Sequence, residues 1–512
     1  MKMLKMAGLA LAVTLAGCGG DSDNDNDGTP PPSETSKKNV LFFLGDGMGI
    51  TTLTAMRIYE AGEAGSITID ELPESAFVRT YSEDGQVTDS APSMAAYMTG
   101  VKMKNEVISM STGTNAYAPD GSQYVDADGN TTCEQGNGMP VATLLEKMKA
   151  RGYATGVVTT TRVTHATPAT TYAHLCNRNG ENTIAAQMVP GGEGYNEALG
   201  DGIDVVLGGG RRHFLPNDNG GRRTDGRDLI AEMQDAGYQY ASSTSELMNV
   251  ADEDRVLGIF TSSDMSYELD RVAQQEPSLE EMTGKAIDML HARDSGFFLM
   301  VEGGRIDHAL HASNAKRALT DGIAFDNAIA AALEKMEAID PGLENTLIVV
   351  TADHSHTLTI SGYPKRGNPI LGKVVAVDWF GGGGDQISKD ALDLPYTTLS
   401  YANGPGYSGG SGDQPEGPHE MGHRPCKRMG SGCSYEGITS GRPDLSQVDT
   451  EVPAYLQEAT VPMSTETHAG EDVPIYAGGA RAALFHGVRE QNYLYHAMVE
   501  AFGWTQDGAP HD

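Results

Sequence analysis

Short apolar runs rich in β-branched residues recur along the chain, bounded by turn residues and separated by helical patterns. Parallel strands that are buried on both faces have this composition, and helices commonly connect them. The alternation predicts an α/β fold with a large central, mostly parallel sheet flanked by helices. The predicted strands span residues 39–44, 155–161, 203–207, 256–260, 297–301, 346–351 and 473–476.

Helix end signals support the same fold class. Residues 140–151 form a predicted helix with Pro140 near its first turn. Ser278 and Glu281 have the spacing of a capping box, which predicts a second helix running to about Arg293. Helices of this length between predicted strands supply the crossovers that a parallel sheet requires.

The 512 residues are expected to form one large core with insertions, because large α/β enzymes often extend a single sheet. Residues 39–512 are the predicted domain. From about residue 361 to 466 the sequence becomes glycine-rich and loses its periodicity. A long insertion of this kind is usually functional or disordered, and we predict that it forms a cap or crown on the core.

The first residues have the features of an export signal. Two lysines precede an apolar run that is too short to span a membrane, and residues 15–18 resemble the processing site of bacterial lipoproteins. Residues 1–18 are therefore predicted to be a lipoprotein-type signal peptide with a lipid anchor on Cys18. Residues 19–38 are a predicted disordered tether rich in acidic residues and proline. An ordinary cleaved signal peptide is the alternative, and both predict export, to the periplasm or to the outer membrane as a lipoprotein.

Composition limits both function and compartment. The chain has 36 basic and 70 acidic residues, a net charge of −34, which excludes a nucleic-acid reader that depends on neutralising phosphates. After Cys18, four cysteines remain, an even number that fits two disulfides in an oxidising compartment. Three pairings are possible. We favour Cys133 with Cys176, and Cys426 with Cys433 because their loop is short.

Acidic and histidine side chains follow several predicted strands. Asp307 and His311 are four residues apart, so a helix would place a carboxylate and an imidazole on one face. Asp353 and His354 repeat this pair at a strand end, where ligands of open α/β sheets bind. One such pair is most often a cap or a surface hydrogen bond, but two pairs favour zinc, which binds both ligand types. Two ions about 4 Å apart can stabilise the attacking and leaving oxygens of a displacement.

Ser90 is the candidate nucleophile. It follows Asp89 and precedes Pro92 at the predicted start of a helix, where serine commonly serves as the cap. In isolation, capping explains this serine. The start of a helix also directs N–H groups and the positive end of the helix dipole at an anion, which suits a phosphate.

These segments resemble the motifs of alkaline phosphatases, most closely those of animals and marine bacteria, over residues 39–502. The resemblance is weakest in the glycine-rich insertion. It implies two zinc ions and one magnesium ion, and the all-oxygen character of the magnesium set agrees with the hardness of that ion. The implied ligands are Asp307, His311 and His468 for the first zinc, Asp46, Asp353 and His354 for the second, and Asp46, Thr167 and Glu302 for magnesium.

The resemblance also implies the reaction. Ser90 would attack a phosphate monoester and form a phosphoserine. Arg178 would hold two phosphate oxygens with its planar guanidinium group, although a lone arginine is more often a solvated surface residue. Small-molecule phosphate monoesters are the expected substrates. A homodimer is the expected assembly, and the insertion either builds its interface or only shields the site.

Four further residues are expected to support the site without binding an ion. His165 and His308 match the animal-type pattern and would adjust the magnesium and phosphate sites. Asp89 adjoins the nucleophile. His356 either orients the neighbouring Asp353–His354 pair or is a structural histidine.

Three other functions compete. Phosphodiesterases of the same superfamily use threonine as the nucleophile and lack the third metal set, and sulfatases need a modified cysteine or serine followed by an arginine that is missing here. Glu302, Thr167 and Arg178 favour monoesters. A non-catalytic, lipid-anchored metal-binding scaffold would lack a catalytic element, and none is missing.

Overall fold

The computed structural model describes residues 37–377, 386–390, 393–407 and 442–504. The predicted signal peptide, most of the predicted tether and the predicted Cys426–Cys433 pair lie outside the described residues. The seven predicted strands are all present in one ten-stranded sheet, within a few residues of their predicted bounds. The predicted α/β class with a mostly parallel sheet is therefore confirmed.

The main sheet has the strand order β15-β2-β14-β8-β1-β7-β3-β4-β6-β5. Its strands are β1 (Asn39–Leu44), β2 (Glu74–Arg79), β3 (Ala154–Arg162), β4 (Val205–Gly209), β5 (Tyr238–Ala241), β6 (Arg255–Ile259), β7 (Phe297–Glu302), β8 (Thr346–Thr351), β14 (Val473–Gly479) and β15 (Val488–Glu490). Strand β14 is antiparallel to both β2 and β8, and the other neighbouring pairs are parallel.

Helices cover both faces of this sheet. They are α1 (Ile50–Ala61), α2 (Ser90–Thr99), α3 (Leu144–Lys149), α4 (Ala166–Ala169), α5 (Glu181–Gln187), α6 (Leu229–Asp235), α7 (Thr244–Asn249), α8 (Leu279–His291), α9 (Arg305–His311), α10 (Ala315–Ile339) and α11 (Gln491–Ala501). Phe42 of β1 packs on Tyr97 of α2 at 5.6 Å between ring centroids, and the next residue, Phe43, packs on Phe325 of α10 at 6.1 Å. Successive strand side chains point to opposite faces, so helices lie on both sides. Within the described chain, none of the helices has the length and apolar character needed to cross a membrane.

Two helix starts differ from the prediction. The helix expected from Pro140 begins at Leu144, because Thr143 and Glu146 form a capping box that fixes its first turn. In α2 the cap is Asp89 rather than Ser90: its carboxylate accepts a hydrogen bond from the backbone N–H of Ala91 at 2.6 Å. Ser90 is therefore the first helical residue, and its hydroxyl is not used for capping. The capping box predicted for α8 at Ser278 is present.

Two small sheets follow β8. One joins β10 (Leu358–Ile360), β11 (Leu399–Gly404) and β12 (Ala459–Pro462), which lie within or beside the glycine-rich insertion. The other pairs β9 (Ser355–His356) with β13 (His468–Ala469) in antiparallel register, so that His356 lies opposite His468. The chain thus returns from the insertion directly to the end of β8.

Candidate active site

Three neighbouring strands bring their polar ends together at one edge of the main sheet. Asp46 follows β1, Glu302 is the last residue of β7, and Asp353 follows β8. All three side chains are completely buried. Strand β1 lies between β7 and β8 in parallel register, so these carboxyl ends are side by side. The edge is the one where open α/β sheets bind their ligands.

The first group of side chains surrounds Nε2 of His354. This nitrogen lies 3.4 Å from Asp46 Oδ1 and 3.3 Å from Asp353 Oδ2. The Ser90 hydroxyl oxygen is 3.3 Å from the same nitrogen. Ligand atoms bound at 2.0–2.1 Å to a tetrahedral zinc ion are roughly 3.3 Å apart. The group therefore has the spacing of a zinc site, and the serine hydroxyl lies within reach of the same ion.

A second group surrounds Oδ1 of Asp307. Helix α9 places Asp307 and His311 one turn apart, with His311 Nε2 3.4 Å from this oxygen. His468 reaches the group from β13: its Nε2 is 3.4 Å from Asp307 Oδ1 and 3.1 Å from His311 Nε2. These three distances again match the separations of ligands around a tetrahedral zinc ion.

Hydrogen bonds on the far side of the rings orient both histidines. Nδ1 of His311 donates to the backbone oxygen of Glu466 at 2.5 Å, and Nδ1 of His468 donates to that of Thr88 at 2.8 Å. A carbonyl oxygen only accepts, so Nδ1 carries the proton in each ring and the Nε2 lone pair faces the group. Histidines that bind metal ions are commonly held this way.

A third group is dominated by oxygen. One oxygen of Glu302 accepts hydrogen bonds from two threonine hydroxyls of β3. Its other oxygen and the hydroxyl of Thr167 are buried without a hydrogen-bond partner among the described residues. Ligand atoms of Asp46, His165 and Glu302 lie within 4.8 Å of one another. Carboxylate and hydroxyl oxygens are the ligands that Mg²⁺ prefers.

Buried polar atoms without partners mark the first and third groups. In the described part of the chain they include both carboxylate oxygens of Asp46, Oδ2 of Asp353, Oε1 of Glu302, Oγ1 of Thr167 and Nδ1 of both His165 and His354. A buried polar atom with no partner costs about 1–3 kcal/mol. Bound cations would satisfy the oxygen atoms at once, so the donor sets fit two ions with mixed ligands and one ion with oxygen ligands.

The pKa values of the buried carboxylates shift in different directions. Burial and the neighbouring Asp353 raise the pKa of Asp46 well above its ordinary value. Burial also raises the pKa of Glu302, to about 7. For Asp307 burial acts in the same direction, but His311 and the other nearby imidazoles outweigh it and hold the pKa well below its ordinary value. Cations in the groups would keep all of these carboxylates ionised.

Arg178 lies near Asp89, the residue before Ser90, with its guanidinium group partly buried. Its Nη2 donates to Nε2 of His165 at 2.8 Å, and its Nη1 is 3.5 Å from Oδ1 of Asp89. The other oxygen of Asp89 accepts from the backbone N–H of Glu106. The backbone N–H of Arg178 donates in turn to the Glu106 carbonyl at 2.8 Å. Asp89 thus links the arginine to the helix that begins with the serine.

A disulfide lies next to this arginine. Cys133 and Cys176 are bonded across 43 residues of chain, with 6.0 Å between their Cα atoms, as the favoured pairing predicted. Cys176 is completely buried and lies two residues before Arg178. The bond therefore fixes the backbone of the arginine segment.

His165 and His308 face each other beside the third group, with 5.6 Å between ring centroids. Arg178 donates to His165, and Arg305 donates to Nδ1 of His308 at 2.6 Å. Burial and the adjacent Arg178 hold the pKa of His165 well below its ordinary value, and burial lowers that of His308 to about 4. Both rings are therefore neutral acceptors for arginine at these nitrogens.

His356 lies between two carboxylates. Its Nε2 is 2.7 Å from Asp307 Oδ1, and its Nδ1 is hydrogen-bonded to Glu466. Burial lowers the pKa of His356, but Asp307 and Glu466 outweigh this and raise it to about 9. Its side chain thus orients Asp307 rather than the Asp353–His354 pair considered from the sequence. Glu466 was missed, although it lies only two residues before His468.

The family model for alkaline phosphatase matches residues 37–504 of the chain. This chain belongs to the alkaline phosphatase family. The tissue-nonspecific alkaline phosphatase of Gallus gallus is 36% identical to it over 499 residues, covering 92% of this chain and 85% of that protein. The corresponding protein of Homo sapiens is 35% identical over 502 residues, covering 91% and 83%.

Solved alkaline phosphatases share the fold. The Thermus thermophilus structure superposes with a TM-score of 0.60 at 25% identity, covering 91% of each chain. The structure from the Antarctic bacterium TAB5 gives a TM-score of 0.58 at 21% identity, covering 92% of this chain and 99% of that one. The predicted family and enzyme class are confirmed: the chain is an alkaline phosphatase, a metal-dependent enzyme that hydrolyses phosphate monoesters.

Proposed function

We propose that the enzyme acts with two zinc ions and one magnesium ion held by the three groups at the sheet edge. The separations of 3.1–3.4 Å among the nitrogen and oxygen atoms of the first two groups support zinc. The oxygen-rich third group supports magnesium. The proposed ligands are Asp307, His311 and His468 for one zinc, Asp46, Asp353 and His354 for the other, and Asp46, Thr167 and Glu302 for magnesium.

Ser90 is the proposed nucleophile. As the first residue of α2, it meets the phosphate at the positive end of a helix dipole. Its hydroxyl gives up its proton as the oxygen attacks phosphorus, the ester bond breaks, the leaving alkoxide takes up a proton to become the alcohol, and the phosphoryl group remains on Ser90 as a phosphoserine. Water then cleaves this second ester and releases inorganic phosphate. When bound, the ions lower the pKa of the serine hydroxyl and neutralise charge on the leaving oxygen.

Arg178 is proposed to hold the phosphate. The planar guanidinium group offers two parallel N–H donors to two phosphate oxygens. In the structure its position is set by His165 on one side and Asp89 on the other. Neutral His165 can accept from Arg178 without competing for the phosphate. The ring of His308 packs edge-on against that of His165, with 5.6 Å between ring centroids.

The observation that carries the proposal is the 3.3 Å distance from Ser90 Oγ to His354 Nε2, inside a group with zinc spacing. We expect Ser90→Ala to lose hydrolysis of a chromogenic phosphate monoester while keeping the zinc and magnesium content of the parent. Ser245→Ala, on helix α7, serves as the control and should hydrolyse at the parental rate. Parental activity in the Ser90 variant would refute the assignment.

We also propose the assembly and location. The enzyme is a homodimer, and its mature form is attached to the cell envelope through a lipid on Cys18. The resemblance of residues 15–18 to a lipoprotein processing site supports the anchor, and the Cys133–Cys176 disulfide fits an exported protein. Labelling with a radioactive fatty acid should mark the parent but not Cys18→Ser, and light scattering should give twice the chain mass.

A further inference from the structure

Glu466 is a buried acid that none of the assigned roles uses. Its side chain is completely buried at the point where the chain returns from the glycine-rich insertion. One carboxylate oxygen is hydrogen-bonded to Nδ1 of His356. The other accepts from the backbone N–H of Thr357 at 2.7 Å and from its hydroxyl at 2.5 Å. Both oxygens therefore have fixed partners.

Two separate connections lead from Glu466 to the first zinc group. The side chain acts through His356, whose Nε2 is 2.7 Å from Asp307 Oδ1, the oxygen that faces His311 and His468. The backbone acts directly: the carbonyl of Glu466 accepts from His311 Nδ1 at 2.5 Å, and its N–H donates to the carbonyl of His311 at 2.9 Å. Glu466 thus contacts one proposed ligand, His311, directly and a second, Asp307, through its hydrogen-bond partner His356.

The insertion holds Glu466 and its neighbour in place. Gly404 of β11 has a φ of +139°, and a Cβ there would lie 3.0 Å from the Cβ of Glu466. The next residue, Thr467, exchanges two hydrogen bonds with Asn403: its N–H donates to Asn403 Oδ1 at 3.0 Å, and its hydroxyl accepts from Nδ2 at 2.9 Å. His468 follows directly, so β11 also fixes the segment that carries the third ligand.

We propose that Glu466 is a positioning residue for the first zinc, holding Asp307 through His356 and His311 through its own backbone carbonyl. The proposal rests on the proposed zinc ligands Asp307, His311 and His468. Groups behind metal ligands fix their orientation, and their removal typically lowers metal affinity about 10- to 100-fold. Through the contacts of β11, the insertion also helps to hold the residues of the first zinc group in position.

The test measures metal binding rather than hydrolysis. Glu466→Gln keeps the shape of the side chain but replaces one oxygen by an amide group, which cannot accept from both His356 and Thr357. We expect its zinc affinity, measured by competition with a chromophoric chelator, to fall about 10- to 100-fold. The visible spectrum of the cobalt-substituted protein should change as well, because it reports the ligand geometry. Glu276→Gln, another buried glutamate, bonded to Ser266 instead, should match the parent in both readouts.

A second pair of variants covers the case in which Glu466→Gln does not fold. Thr357→Val removes one hydroxyl donor to Glu466 at nearly constant shape, whereas Thr357→Ser keeps it. Because it loses one hydrogen bond, the valine variant should bind zinc about 2- to 10-fold more weakly, and the serine variant should bind it like the parent. A difference between the two supports the proposal, and equal zinc affinity in both contradicts it.

Two outcomes separate the proposal from the ligand assignment on which it rests. His468→Ala should lose one zinc ion per chain. If it does, while Glu466→Gln keeps parental zinc affinity and cobalt spectrum, Glu466 has only a structural role and the proposal is wrong. If His468→Ala retains both zinc ions, the ligand set itself is wrong, and the role of Glu466 fails with it.

Discussion

Replacing both cysteines of the Cys133–Cys176 disulfide by serine should lower stability in a way that can be calculated. The bond closes a loop of 43 residues, and the chain-entropy relation gives a loss of about 4 kcal/mol when such a cross-link is removed. At about 2.1 cal/mol/K per residue, the unfolding entropy of residues 37–504 is roughly 1 kcal/mol/K. The melting temperature of the metal-saturated double variant should therefore fall by about 4 °C.

A second effect of this change is local. Arg178 lies two residues after Cys176, so loosening this segment should weaken phosphate binding. A loss of about 1 kcal/mol would raise the inhibition constant for inorganic phosphate about fivefold. Calorimetry and competitive inhibition measure the two effects separately. Thr132→Ser, at an exposed position in the same loop, is the control for both.

The melting temperature and the inhibition constant each test one of the two expected effects. A melting temperature within 1 °C of the parental value would show that the cross-link does not stabilise the fold by restricting the unfolded chain. An unchanged inhibition constant would show that the disulfide does not position Arg178. Reduction of the parent with a dithiol should reproduce the behaviour of the double variant, since it breaks the same bond.

Three further outcomes are expected. Arg178→Lys should raise the inhibition constant for inorganic phosphate about 10- to 100-fold, because an ammonium group cannot make the two parallel contacts with the phosphate oxygens. A change below twofold would show that Arg178 does not hold the phosphate in this way. A strong chelator should abolish hydrolysis and lower the melting temperature, and zinc plus magnesium should restore both. In metal-free protein, His356 has a pKa raised from 6.5 to about 9, so its stabilisation is complete below pH 6.5 and is lost as the pH rises through 9. Denaturant unfolding should show a flatter pH profile between 6.5 and 10 for His356→Gln, and identical profiles would contradict this assignment.

The strands that are buried along their whole length were the ones that the sequence predicted most readily. Strand β1 is buried along its whole length, so its apolar run was visible in the sequence. Strands β2, β5 and β15 were missed because exposed or half-buried positions interrupt them, and these positions carry polar residues such as Glu74, Gln239 and Arg489. The start of α3 was misplaced because Pro140 and the Thr143–Glu146 capping box both signal a helix start and lie only a few residues apart.

The candidate site could be predicted to the extent that its residues follow strands or share a helix turn. Asp307 and His311 are brought together by helix α9 alone, and Asp353 by the end of β8. Glu466 is different. Its contact with His356 spans 110 residues and depends on how the chain returns from the insertion, so no local spacing indicates it.

The buried oxygen atoms of Asp46, Glu302 and Thr167 that lack hydrogen-bond partners affect the conditions under which the enzyme can fold. They belong to segments far apart in the sequence, and each is shut away from water once the sheet edge has formed. A newly made chain should therefore complete its folding only where the surrounding medium supplies the cations that these atoms need. Scarcity of divalent cations would leave loosely closed molecules exposed to proteases, so the amount of intact enzyme should rise and fall with the local supply of these ions.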